Sequence, residues 1–306
     1  MRFIQITGSV LRLFGFFVLA GVVTNALIPL LSGYSLESIS HISFIKQHPD
    51  LFYSFAISDL IGKVFGFILL PVVYLSITKE PDANPFKQSP LLPFDPVNIL
   101  FGAGILLSCL PWIGWLADIN KAIHLPERMN VLEELIIRTE AFGEAITNLF
   151  MEVHTPLDFM LAVTAIAVIP AIGEEFIFRG LFQRELQRYT GNMHLAVWVA
   201  AFVFSFIHFQ FYGFFARMAL GAVFGYMLVW SGSMWVPITM HFFNNALTLC
   251  WMLAYKKNHT TLNPENGDQI PSAVVITALA ITLYLLYNRK KVFDLFSKTT
   301  SLSSYE

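Results

Sequence analysis

Eight stretches of the 306-residue chain stay apolar for roughly the 20 residues a helix needs to cross a bilayer. They cover residues 10–31, 54–77, 97–117, 157–178, 195–211, 214–231, 234–254 and 271–287. The pattern predicts an all-α fold, a polytopic membrane bundle of about eight transmembrane helices. The apolar run of the first span continues to about Leu31, longer than a signal-peptide core. It therefore reads as a membrane helix and not as a cleavable leader. Between the spans the polar segments differ in kind. Residues 79–96 (KEPDANPFKQSPLLPFDP) are rich in proline and predict an irregular connector. Residues 118–156 carry Val131, Leu132, Leu135, Ile136, Phe142, Ile146 and Leu149 near helical spacing, with Glu133, Glu134, Glu140 and Glu144 among them. That pattern predicts an acidic amphipathic helix lying on the membrane or covering the bundle. A solvated loop helix with no part in chemistry fits it equally. The chain divides on this reading into N-terminal helices with connector and acidic loop (1–154), a core (155–255), and a last helix with a tail (256–306).

Composition agrees with lipid as the main solvent. The chain is 56% hydrophobic and 13% charged, against about 25% charged in soluble domains. A net charge of −2 without a basic stripe excludes nucleic acid as a partner. Membrane lipid and a membrane-associated protein or peptide are the partners expected. Cys109 and Cys250 lie in apolar segments without CxxC spacing and read as buried, inert thiols. Lysine and arginine set the orientation. Arg2 and Arg12 precede the first helix, Lys79 and Lys87 follow the second, Arg179, Arg184 and Arg188 follow the fourth, and Arg289, Lys290 and Lys291 follow the eighth. This places both termini in the cytoplasm, with Lys256 and Lys257 as the exception. The expected location is a bacterial inner membrane.

An ionisable group inside a span costs at least about 2.5 kcal/mol and tends to mark function. Such groups concentrate in the second half of the chain. They are Glu174, Glu175 and Arg179 in the fourth span, His208 in the fifth, Arg217 in the sixth, and His241 with Asn244 and Asn245 in the seventh. Asp59 and Lys63, four apart in the second span, are spaced to pair. Glu174 lies 17 residues before Gly191 and His208 lies 17 after it. A helical hairpin turning at Gly191 sets the two level, and the next hairpin is expected to turn near Ser231–Ser233. Glu175 and Arg179 share one helix face, as do His241 and Asn245. Gly173, with Pro170 nearby, reads as a loosened notch open to water. Gly221 and Gly225 form a GxxxG pair suited to close helix packing.

These residue types permit several chemistries. A carboxylate and an imidazole in a protected cavity can activate water, and a second histidine with an amide can supply donors to an oxyanion. Glu174 is the carboxylate left without a same-helix partner. A proton or ion pathway and a purely structural polar network are also compatible. Two histidines and a glutamate could hold zinc, but HExxH spacing is absent. No cofactor is expected, a divalent metal such as zinc being the less favoured alternative.

Three segments resemble one family. EEFIFR (174–179) is similar to its EExxxR motif, FSFIH (204–208) to FxxxH, and HFFNN (241–245) to HxxxN. The family is the CPBP intramembrane proteases, which include the Rce1-like type II CAAX prenyl endopeptidases and the Abi proteins. The resemblance covers about residues 155–255. It implies a glutamate-dependent endopeptidase in which Glu174 and His208 activate water. His241 and Asn245 would form the oxyanion site, with Glu175 and Arg179 in support. The family has also been labelled metalloprotease; no third strong ligand is evident here, so the metal-free reading is preferred. The expected site opens towards the cytoplasm. Two other readings stay open: a non-catalytic scaffold or bacteriocin-immunity protein with the same fold, and a proton-coupled transporter, which the lack of paired broken helices disfavours.

Overall fold

The computed structural model describes residues 2–78, 96–261 and 270–288. The connector 79–96 therefore falls almost wholly outside the described residues. Among those described, every regular element is helical. In chain order they are α1 (Arg2–Ser32), α2 (Leu36–Ser40), α3 (Ile42–Gln47), α4 (51–78), α5 (Pro96–Lys121), α6 (Asn130–Phe150), α7 (Pro156–Thr190), α8 (Met193–Phe206), α9 (Phe214–Ser231), α10 (Trp235–Lys256) and α11 (Ser272–Tyr287). Each of the eight expected spans overlaps one helix, α1, α4, α5, α7, α8, α9, α10 or α11. Five of these, α1, α4, α5, α7 and α9, are long and apolar enough to cross a membrane. The helices α8 and α11 are apolar but shorter. The 22 residues of α10 are long enough, but His241, Asn244 and Asn245 interrupt their apolar run.

Two glycines turn the chain where expected. Gly191, at φ +70°, caps α7, and Gly232, at φ +66°, caps α9. Only a residue without Cβ enters the left-handed region at no steric cost. The hairpin count about Gly191 can be checked on the rings. Phe178 lies 13 residues before it and Phe204 lies 13 after, and their centroids are 5.0 Å apart. These two tight turns share one end of the bundle, here the turn end. The segments joining α1 to α4, α5 to α7 and α8 to α9 share the other, the loop end.

Packing between helices depends on close backbone approach, because lipid removes the hydrophobic incentive to associate. A Cβ on Gly66 of α4 would overlap Ala20 Cβ and stand 2.8 Å from Phe16 O of α1. A Cβ on Gly173 would stand 2.7 Å from Phe67 Cβ. The notch expected at Gly173 is therefore filled: Phe67 of α4 packs into it. Both α4 and α7 contain π-helical runs, 64–69, 164–168 and 176–183. Such runs shift the helical hydrogen-bond register and occur often at functional sites. Side chains from other helices reach carbonyls of the run at 164–168. Lys63 Nζ donates to Ala165 O at 3.1 Å while pairing with Asp59 Oδ2 at 2.7 Å.

The acidic helix is present as α6. Its C-terminal end is buried through Ala145, Leu149 and Phe150, which join Leu51, Phe52 and Leu249 in a core at the loop end. Its N-terminal half leaves Val131 and Leu135 exposed. Of the two thiols expected to be buried, Cys109 is buried and Cys250 is exposed. Cys250 lies on an outward face of α10, a rotation that hydropathy alone does not fix.

Replacing Gly66 with valine is expected to lower the melting temperature in detergent, at a cost of about 1–3 kcal/mol for overpacking. Gly15, whose Cβ position is open, should tolerate valine. Equal melting temperatures for the two variants would contradict the α1–α4 approach.

Candidate functional site

The centre of the bundle is built on one guanidinium. Arg179 is 1% exposed and Glu175 is fully buried. Their spacing of four residues puts them on one face of α7, and Arg179 Nη1 donates to Glu175 Oε1 at 2.8 Å. Arg179 Nη2 donates to Gly221 O of α9 at 2.8 Å. The guanidinium lies over the Phe204 ring, with Cζ 4.8 Å from its centroid. One turn further along α7, Gln183 Nε2 donates to Gly225 O at 3.2 Å. The GxxxG pair thus presents two carbonyls one turn apart to two donors one turn apart. A Cβ at Gly225 would stand 2.7 Å from Gln183 Oε1.

Glu175 has a second partner that its spacing on α7 does not announce. His241 Nδ1, from α10, lies 2.9 Å from Glu175 Oε1. A carboxylate oxygen accepts, so Nδ1 carries the proton and Nε2 keeps its lone pair in the neutral ring. That Nε2 lies 3.9 Å from Glu174 Oε2. The ring stacks on Phe224 at 5.2 Å and 24°. The result is a line, Glu175 to His241 to Glu174, with the imidazole held in one tautomer and one orientation. Glu174 itself is 7% exposed.

Asn245 lies one turn beyond His241. Its Nδ2 donates to Ile166 O at 3.0 Å, another carbonyl in the run at 164–168, and its Oδ1 accepts from Asn244 Nδ2 at 3.2 Å. One Nδ2 hydrogen thus ties α10 to α7, and the second is not needed for that contact.

His208 is placed differently from the expectation. The span predicted to reach residue 211 ends at Phe206, and His208 stands in the turn beyond it. Phe209 ends the helical path with φ 52°, a conformation uncommon for an aromatic residue. His208 Nδ1 donates to Phe204 O at 2.7 Å, because a carbonyl can only accept. Nε2 is left as an acceptor. Side chains from three helices hold the loop that follows. Glu140 Oε1 of α6 accepts from Tyr212 N at 2.7 Å, Asn120 Oδ1 of α5 accepts from Phe215 N at 2.9 Å, and Arg217 Nη2 of α9 donates to Gln210 Oε1 at 3.2 Å. At the end of α8 itself, His208 Nδ1 takes up Phe204 O and Arg217 Nη1 reaches Ser205 O at 3.4 Å. The contact of Glu174 is accordingly with His241. The rings of His208 and His241 both stand edge-on to Phe204, at 5.0 and 6.1 Å.

Phe204 and Phe224, the aromatic walls of the site, had no role in the sequence reading. Phe204 was legible only as the first letter of FSFIH, and Phe224 carries no periodic signal at all. A cavity of about 760 Å³ reaches His208 between α6 and the turn joining α2 to α3. It lies at the loop end. The early stop of α8 turns His208 towards the loops. Among the described residues no group of three or more His, Cys, Asp or Glu is placed to hold a metal ion.

Residues 156–247 match the family model described as Rce1-like, type II CAAX prenyl endopeptidase. The resemblance carried by the three motifs is borne out by this match, which spans all three. A curated relative, the uncharacterized protein YpbD of Bacillus subtilis (strain 168), is 29% identical over 89 residues. That alignment covers 28% of this chain and 42% of the relative, less than half its length. No solved structure matches the chain.

Changing Arg179 to methionine removes the cation from the buried Glu175 carboxylate. The expected loss is about 3–5 kcal/mol, as for other broken buried pairs. Adding Glu175→Gln should restore part of it, since a neutral amide oxygen still accepts from His241 Nδ1. Unfolding in detergent reads both variants, and a double variant no more stable than the single one would contradict this assignment.

Proposed function

On the premise of an Rce1-like segment at 156–247, we propose that the chain is an intramembrane endopeptidase that uses Glu174 to activate water. The observation that carries the reading is the placement of Glu174. It is buried, has no salt bridge on its own helix, and faces an imidazole whose tautomer Glu175 dictates. A base of this kind works by taking a proton from the attacking water in the transition state. His208 Nε2, an acceptor because Nδ1 is engaged by Phe204 O, is suited to orient the same water. The water oxygen bonds to the peptide carbonyl carbon as its proton passes to Glu174. The carbonyl oxygen becomes an oxyanion. His241, in its imidazolium form with protons on both ring nitrogens and Nδ1–H held by Glu175, and the second hydrogen of Asn245 Nδ2 are the donors proposed for it. Glu174 then returns the proton to the leaving nitrogen as the C–N bond breaks. No metal takes part in this scheme. The substrate is a membrane-associated protein or peptide.

One observation favours the scaffold reading. Asn245 ties α10 to the carbonyl of Ile166, and His241 ties it to Glu175. Both residues thus also hold helices together. The two readings separate on Glu174, whose contact with α10 is the longer one to His241 Nε2 at 3.9 Å.

Glu174→Gln keeps the size and polarity of the side chain and removes the base. Purified in detergent, this variant should retain the wild-type melting temperature. Its cleavage of a membrane-associated peptide substrate, found by comparing membrane-protein termini in cells with either form, should fall by about 10²–10⁴-fold. Undiminished cleavage would sink the endopeptidase assignment.

A further inference from the structure

A second cavity, which the proposed chemistry does not use, lies where α7 begins and α10 ends. It holds about 510 Å³, within the roughly 300–1,000 Å³ of small-molecule sites. Val153, Phe159 and Leu253 give it an apolar lining, and His154, Lys257 and His259 a basic one. Among the described residues that line it, none is acidic. The way α10 ends builds the basic side. Asn258 takes φ 57°, the left-handed conformation that asparagine adopts more readily than most residues. Asn258 N then donates to Tyr255 O at 3.0 Å and His259 N to Ala254 O at 2.8 Å. This paired closure is a Schellman motif, and it folds His259 back to the cavity. Lys256 and Lys257, the exception in the charge pattern, then divide. Lys256 Nζ donates to Glu152 Oε1 at 2.7 Å, whereas no described carboxylate pairs with Lys257. The other Glu152 oxygen lies 3.3 Å from His154 Nε2. Asp158, in the first turn of α7, is buried and accepts from Tyr53, His154 N and Thr155 N. Both acids beside the cavity are therefore engaged, and the charge left facing it is the Lys257 ammonium.

The depth of the cavity follows from its neighbours. Phe159, Trp251 and Tyr255 are exposed around it, and aromatic side chains of this kind collect at the boundary between membrane and water. An apolar lining under a cationic rim at that boundary matches an amphiphile with an anionic head. Basic pockets between membrane helices hold anionic lipid headgroups in this way. We propose that the cavity binds an anionic membrane phospholipid. Lys257 Nζ and the His259 ring donate to the headgroup phosphate, and Val153, Phe159 and Leu253 meet the start of the acyl chains. The site has a structural consequence for the centre of the bundle. The helices α7 and α10 are also the pair joined by Asn245 to Ile166 O and by His241 to Glu175. A lipid held between their ends adds a third tie to the same pair. The proposal stands apart from the endopeptidase reading and does not depend on it.

A native thiol reports on the site. Cys250 lines the cavity and is exposed, while Cys109 is buried. In the full chain, delipidated in dodecyl maltoside, an uncharged maleimide is expected to label Cys250 more slowly as phosphatidylglycerol is added. Phosphatidylcholine, or inorganic phosphate alone, should leave the rate unchanged. Lys257→Gln should raise the phosphatidylglycerol concentration that halves the rate by about fivefold. Combining it with His259→Gln should remove the protection. Lys257→Arg keeps the charge and should keep the protection, which separates loss of the cation from a disturbed end of α10. Labelling that phosphatidylglycerol does not slow, equal protection by phosphatidylcholine, or protection that survives in the double variant overturns the site. Protection by inorganic phosphate alone overturns the lipid as its occupant.

Discussion

A guanidinium withdrawn from water must find every donor a partner within the protein, because in hydrocarbon no solvent makes up the shortfall. For Arg179 two donors are met by Glu175 and the carbonyl of Gly221, and the guanidinium lies over the face of Phe204. Each partner belongs to a different helix or turn, so the requirement of one side chain brings α7, α8 and α9 together at one depth. Glu175 passes the constraint on to α10 through His241. His241 in turn can point its second nitrogen at Glu174 only because its first is taken. The Glu174 carboxylate is therefore positioned at the end of a chain of buried polar contacts that starts with a charge pair. Helix packing of this kind is directional where apolar packing in lipid is not, and it gives the centre its registry.

The same accounting governs the irregular backbone. The run at 164–168 is met at two carbonyls by Lys63 and Asn245, which draws the N-terminal helix α4 into the core of the site. The early end of α8 is met by Glu140, Asn120 and Arg217. These residues come from α6, α5 and α9, so the loop after His208 is held from three directions. The acidic amphipathic helix thus does both things its pattern allowed. Its C-terminal half covers the bundle and supports that loop, while its N-terminal half keeps an apolar row outward.

Function follows from the asymmetry between the ends. Tight glycine turns seal one end, and long segments open the other. On the proposed reading, Glu174 as base, the imidazole of His241 fixed by Glu175 and that of His208 beside a cavity are the parts an endopeptidase would use. The match over 156–247 covers the helices that supply them. The helices outside that segment contribute part of the cavity wall and three of the stabilising contacts, from Lys63, Asn120 and Glu140.

The helical spans, the turns at Gly191 and Gly232, and the pairs Glu175–Arg179 and Asp59–Lys63 were legible in the sequence. Each depends on neighbours within a few residues: a run of apolar side chains, a residue able to take positive φ, or a spacing of four on one helix. The polar residues of the centre were legible too, because in an apolar span they stand out by cost alone. Tertiary structure decided the rest. Counting along the hairpin set Glu174 level with His208, and the ring contact of Phe178 with Phe204 shows that the count holds that far. It could not show that α8 stops at Phe206, since the groups that end it come from three other helices. Nor could it show that Glu174 faces His241, that Phe67 fills the space at Gly173, or that Cys250 points outward. These depend on the rotation and depth of whole helices against one another, and those are fixed only when the buried donors and acceptors of all of them are satisfied together.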